Sequence, residues 1–188
     1  MSRGTLLVGR AMFTVSDSIH IDAPMERCFL LSTSIDLVAR TLRMRPIEGK
    51  VSGMITSGDR LVWAGWKFGL PQMHETLITK YERNRFFQDT MGRGRFRTFQ
   101  HDHHFAEIGG QTLLSDKLRF TLPFGVLGRL VARYVMVPYI RETLRQRMTL
   151  LKRVAESEEW RKYIPVEENQ TQDTVLPDGP TSLVTPQT

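Results

Sequence analysis

The sequence predicts an α+β fold in which one curved antiparallel sheet of about seven strands wraps around one long helix. Three observations point there. Strand-like segments recur at short spacing between residues 50 and 122, a helix-start signal follows the first strand, and the apolar period becomes helical after Pro123.

The first strand is Phe13 to Ile21, where Phe13, Val15, Ile19 and Ile21 alternate with Thr14, Ser16, Ser18 and His20, and Asp17 interrupts the apolar face. Asp22-Ala23-Pro24 then reads as a helix start, with Asp22 as the cap and Met25, Cys28, Phe29 and Ser32 as the inward stripe. A second short helix is expected around Asp36 to Leu42. Six further strands are expected at Lys50–Ile55, Arg60–Phe68, Gln72–Tyr81, Arg85–Met91, Arg95–Ile108 and Gln111–Leu122. The short loops between them imply hairpins and a meander. From Leu127 onward, Leu130, Val131, Tyr134, Val135, Ile140, Leu144, Met148, Leu151 and Ala155 trace one helical side, and Arg141, Arg145, Lys152 and Arg153 lie opposite. Pro138 falls inside this pattern, so a kink or break is expected there.

The 188 residues divide into an extension over 1–12, a domain over 13–156, and a polar, acidic tail over 157–188 that shows neither period and reads as disordered. The net charge is +6, but the tail holds six of the acids, which leaves 24 bases against 14 acids in residues 1–156. That surplus suits anionic partners. Aromatic residues are scarcely interleaved with the bases, which disfavours nucleic acid, while transient contact with an anionic membrane remains open. Cys28 is the only cysteine, so no internal disulfide is available. No secretory signal or spanning segment is visible, and a cytoplasmic location is expected. Nothing resembles a nucleophile elbow, a phosphate loop or a dinucleotide fingerprint.

The polar signal sits in one hairpin. Gly109-Gly110 suits a two-residue turn, which makes paired residue numbers sum to 219. His103 then faces Asp116, His101 faces Leu118, Phe105 faces Leu114 and Phe99 faces Phe120, all on the inward face. On the outer face Asp102 meets Lys117, His104 meets Ser115 and Thr98 meets Thr121. A buried Asp116 needs a donor, and His103 is the nearest. The pair could fix the register, orient a ligand, or act as an acid/base couple. No metal or cofactor is expected: His101-x-His103 presents two imidazoles, and His74 and Glu75 could approach, but three ligands must converge and no cysteine joins them.

Three stretches carry a resemblance to the SRPBCC, or START-like, superfamily with its helix-grip fold, over roughly Phe13 to Glu156. Ile21-Asp22-Ala23-Pro24-Met25-Glu26-Arg27-Cys28-Phe29 resembles its I-x-A-P-x-x-x-V-[FW] opening. Phe99-Gln100-His101-Asp102-His103-His104-Phe105 is similar to a W-x-H-x-H-x-F pattern in one uncharacterised ligand-binding branch. Gly110-Gln111-Thr112 with Asp116, then Leu122-Pro123-Phe124-Gly125-Val126-Leu127-Gly128, resembles that branch's continuation. Phe99 stands in the usual Trp position, and His74 where the branch often has another Trp.

The resemblance implies a cavity between sheet and long helix that holds a hydrophobic or amphipathic small molecule such as a lipid, quinone or polyketide. Phe99, Phe105, Leu118, Phe120 and His74, with one of Trp63 and Trp66, would form its walls. Trp63 and Trp66 have opposite parity, so at most one faces inward. His101, His103 and Asp116 would orient a polar group of the ligand. The resemblance also admits a polyketide cyclase/dehydratase-like enzyme, in which neutral His103, oriented by Asp116, removes a proton next to a carbonyl.

Overall fold

The computed structural model describes residues 11–164. Strand β1 (Phe13–Ile21) leads into two short helices, α1 (Met25–Thr33) and α2 (Ile35–Leu42). Six strands follow: β2 (Met44–Gly49), β3 (Arg60–Lys67), β4 (Leu70–Glu82), β5 (Phe86–Met91), β6 (Thr98–Ile108) and β7 (Gln111–Thr121). The chain ends in α3 (Gly125–Val131), a π turn at Ala132–Met136 and α4 (Val137–Ala155). All seven strands form one antiparallel sheet in the order β1-β7-β6-β5-β4-β3-β2, which is the helix-grip arrangement of a curved sheet around a long terminal helix.

The β6–β7 hairpin has the expected register. Gly109 and Gly110 both take positive φ (61° and 80°), and the ladder pairs Phe99 with Phe120, His101 with Leu118, His103 with Asp116 and Phe105 with Leu114. On the outer face Asp102 lies across from Lys117, but its ionic partner is the diagonal Arg119 at 2.7 Å. Gln88 and Gln100 also donate to the Asp102 carboxylate. The guanidinium reaches along the strand where the shorter ladder contact does not.

Four expectations are corrected. No strand occupies Lys50–Ile55, because the first strand of the meander is β2 at Met44–Gly49, an edge strand with Pro46 and a bulge between Pro46 and Glu48. The apolar run after it is a loop that buries Ile55 and ties its backbone N–H to the Thr33 carbonyl. Asp22 does not cap α1. Pro24 holds that position, and the Asp22 backbone N–H donates instead to Glu156 Oε1 at 2.7 Å.

The third correction concerns the long helix. Beside Pro138 the regular α-helix is interrupted as expected: a π turn at Ala132–Met136 separates α3 from α4, and Pro138 sits in the first turn of α4, where its missing N–H costs little. Beyond the turn Ile140, Leu144, Met148, Leu151 and Ala155 are buried as expected, whereas Leu127, Leu130, Val131, Tyr134 and Val135 before it are exposed.

Finally, the packed body continues past 156. Residues Glu158–Lys162 form a 3-10 turn, Ile164 is buried in the main core, and Glu159 and Tyr163 both bond Arg40. Residues 1–10 and 165–188, which hold most of the expected extension and tail, lie outside the described residues. Among the described residues no helix is long and apolar enough to cross a membrane.

Candidate functional site

Apolar residues pack in separate clusters around the helix, and the gap between them is the site. One cluster joins Cys28, Phe29, Phe87, Phe105, Leu114, Met148 and Leu151. A second joins Val15, Leu118, Phe120, Ile140 and Leu144, and a third joins Ile35, Ile55, Leu61, Trp63 and Ile78. Between them lies a cavity of about 480 Å³. Its walls come from β3, β4, β6 and β7 on one side and α4 on the other. Its mouth opens between Phe68 and Leu70, at the β3–β4 turn, and Phe124, Leu127 and Val131 around α3.

A charged layer crosses the inner end. Alternation along β6 turns His101 and His103 inward, Asp89 joins them from β5 as the ladder partner of His101, and Asp116 joins from β7. Arg147 enters from α4, between the buried Leu144 and Met148. His103 Nδ1 shares a hydrogen bond with Asp116 Oδ1 at 2.8 Å, and His103 Nε2 shares one with Asp89 Oδ2 at 3.0 Å. Arg147 Nη1 donates to Asp116 Oδ2 at 2.5 Å. His101 packs at a tilt of 44° against His103 with ring centroids 3.8 Å apart, and Phe87 stacks on His103 at 4.1 Å.

The electrostatics follow from that geometry. Burial alone would lower the His103 pKa, but Asp116 and the hydrogen bond to Asp89 carry it above its ordinary value. Burial works against ionised Asp116 too, yet Arg147 and the imidazoles hold its carboxyl well below the usual carboxylate range. Asp89, likewise opposed by burial, is lowered by the His103 hydrogen bond. His101 goes the other way, because burial and the neighbouring His103 keep it below its ordinary value and neutral. Two carboxylates thus face one imidazolium and one guanidinium, and the buried charges balance.

The structure brings Trp63, His74, Phe99, His101, His103 and Leu118 to the cavity wall. Trp63 is 1% exposed, and Trp66, of opposite parity, is 69% exposed. His74 packs edge-on against Phe99 at 5.5 Å, and burial holds its pKa down. The other three candidates stand behind the wall. Phe105 packs against Phe29, Phe120 stacks on Phe13, and Asp116 touches the cavity only through the two histidines and Arg147. Sequence reasoning missed Asp89 and Arg147. Arg147 was within reach, since it sits three residues after Leu144 and four before Leu151 on the inward stripe. Asp89 had no such signal, because the six residues between β5 and β6 leave their register open.

Comparison with known proteins places this architecture. Residues 12–156 match the family model described as polyketide cyclase / dehydrase and lipid transport. No curated protein matches the sequence. A START superfamily protein from Mycobacterium smegmatis is 16% identical with a TM-score of 0.59, over 76% of this chain and 97% of that one. TTHA0849 from Thermus thermophilus is 17% identical with a TM-score of 0.61, over 74% and 94%. The di-domain ARO/CYC BexL from the BE-7585A biosynthetic pathway is 18% identical with a TM-score of 0.62, over 78% of this chain and 50% of that protein. At these identities the neighbours establish the fold, and the family match over most of the domain establishes the kinship. The chain belongs to the polyketide cyclase / dehydrase and lipid transport family.

Proposed function

We propose that this protein binds and carries a hydrophobic small molecule with one polar end, of the lipid, quinone or polyketide kind, taken up at an anionic membrane surface. The observation that carries the reading is the cavity itself: about 480 Å³, walled almost entirely by apolar side chains, with charged groups gathered at its inner end. Sites for small molecules combine an apolar lining with a few placed polar groups in this way. Trp63, Phe99 and Leu118 offer the apolar wall, His101, whose ring nitrogens are uncommitted, meets a carbonyl, hydroxyl or carboxylate, and Asp89 accepts from a hydroxyl while His103 holds it in place.

The surface round the mouth supports loading from a membrane. Phe124 is 82% and Leu127 65% exposed there, next to exposed Phe68 and Leu70 across the opening. From Pro123 to Arg141 the chain has no acid, and Arg129, Arg133 and Arg141 lie among these apolar residues. Apolar side chains flanked by cations suit an anionic lipid surface.

The enzymatic alternative has less behind it. A general base must be free to accept a proton, whereas His103 is engaged at both nitrogens by carboxylates that favour its charged form.

A fluorescent fatty acid is the first probe. Binding should be saturable in the wild type and fall roughly tenfold or more in Thr143→Trp, which places an indole in the cavity from α4; that loss corresponds to about 1.4 kcal/mol. Equal binding by both proteins, with the variant's melting temperature unchanged, would exclude the cavity as the site. Flotation with phosphatidylglycerol vesicles should show binding that weakens as salt rises, and salt-independent or absent binding would remove the membrane from the reading.

A further inference from the structure

We infer that Asp89, His101 and His103 form a binding site for one first-row divalent transition-metal ion, such as Zn2+ or Fe2+, with Asp116 as the outer carboxylate that orients both imidazoles. The site does not depend on which molecule fills the cavity.

The three ligand atoms already converge. His103 Nε2 lies 3.0 Å and His101 Nδ1 3.8 Å from the same Asp89 oxygen, and all three atoms lie within 4.8 Å of one another. An ion about 2.0–2.2 Å from each ligand holds neighbouring ligand atoms roughly 3–3.5 Å apart, so small side-chain adjustments close the shell. Adjacent strands supply them, Asp89 and His101 as a ladder pair and His103 two residues on, which fixes all three on one face.

The far side of each ring is also prepared. His103 Nδ1 lies 2.8 Å and His101 Nε2 3.5 Å from the two oxygens of Asp116, and Arg147 anchors that carboxylate. Metal-bound histidines commonly donate their remote N–H to such a carboxylate, which sets tautomer and ring orientation. Both imidazoles face the same way in this respect: one nitrogen toward Asp89, the other toward Asp116.

A second observation is independent of the convergence. His101 is nine-tenths buried and makes no hydrogen bond at either ring nitrogen: Nδ1 stops 3.8 Å short of the Asp89 oxygen, and Nε2 lies 3.5 Å from Asp116, too far for one, so both move into bonding range only if the ring shifts. A proton shared between His103 and Asp89 satisfies those two residues but leaves His101 unaccounted for. An ion in its place engages all three and draws His101 towards Asp89. Two imidazoles and one carboxylate select borderline metals over Mg2+ or Ca2+, which prefer oxygen shells. The remaining coordination positions face the cavity, where water or an oxygen of a bound molecule completes the shell.

The test uses the full-length, untagged protein, stripped by chelator and titrated with Zn2+ by calorimetry, then with Co2+ followed by visible absorption. One ion per chain is expected, with the intense d–d bands of a four- or five-coordinate N/O site. Asp89→Asn and His101→Phe should each weaken uptake by about a hundredfold or more, and His104→Ala, on the outer face of β6, should leave it unchanged. Sub-stoichiometric uptake, or uptake that survives both substitutions, overturns the site. Should either variant lose its circular dichroism signal, the wild-type Co2+ spectrum decides, since the pale spectrum of a six-coordinate aqueous ion also overturns it.

Discussion

The two halves of the terminal helix look alike as sequence and behave oppositely as structure. Before the π turn, Leu127, Leu130, Val131, Tyr134 and Val135 keep an apolar period and are exposed. After it, Ile140, Leu144, Met148 and Leu151 keep the same period and are buried. What differs is the opposing surface. α4 lies against β1 and α1 and closes two core clusters, whereas α3 stands over the open end of the cavity with nothing beneath it. A helical period therefore identifies which side of a helix is apolar, and the neighbouring elements determine whether that side is core or contact surface.

Substitutions at the two ends should separate these roles by size of effect. The largest loss is expected for Arg147→Met, which leaves the Asp116 carboxylate buried beside only the imidazoles. Urea unfolding should report about 3 kcal/mol or more, and adding Asp116→Leu should recover much of it. If the single substitution is neutral, Arg147 does not hold the charged layer together. Leu144→Ala comes next, at about 2–4 kcal/mol for a large core deletion beside a cavity that only partly relaxes. A cost below that range would mean α4 is held less tightly than its burial implies.

Cys28 gives the pH dependence of the buried end. Burial raises its thiol from 9.0 to about 11. Because the folded value lies above the unfolded one, the thiol's contribution is intact below pH 9 and is lost as pH climbs through about 11. The wild type should lose about 2–3 kcal/mol over that window relative to Cys28→Ala, read from urea midpoints at each pH. Parallel pH profiles for the two proteins would refute the shift. The smallest stability effect is expected at the mouth. Leu127→Ser should change unfolding by less than about 0.5 kcal/mol while reducing phosphatidylglycerol-vesicle binding several-fold. A stability loss as large as that of Leu144→Ala would show that α3 is packed after all.

The same contrast explains what could be read from the sequence. Gly109-Gly110 fixed the β6–β7 register, and with it His101, His103 and Asp116 on one face, because a two-residue turn leaves no freedom. Strands β3 to β7 were legible from alternation and turn residues. Edge strand β2 was not, since Pro46 and a bulge erase its period, while Val51 to Ile55 mimic a strand without pairing as one. Three of the five residues in the charged layer, His101, His103 and Asp116, were legible. Asp89 depends on a pairing across a six-residue loop, and Arg147 on crediting a cation on an apolar stripe with an inward role. Both are long-range facts about which surfaces meet.

Native mass spectrometry of the protein purified from its own source tests most directly whether the cavity holds a hydrophobic molecule. The expected result is a reproducible non-covalent adduct in the lipid or quinone mass range on the wild type, lost in Thr143→Trp prepared in the same way. An adduct-free wild type that also fails to take up a fluorescent fatty acid, or an adduct retained in full by the filled-cavity variant, would contradict it.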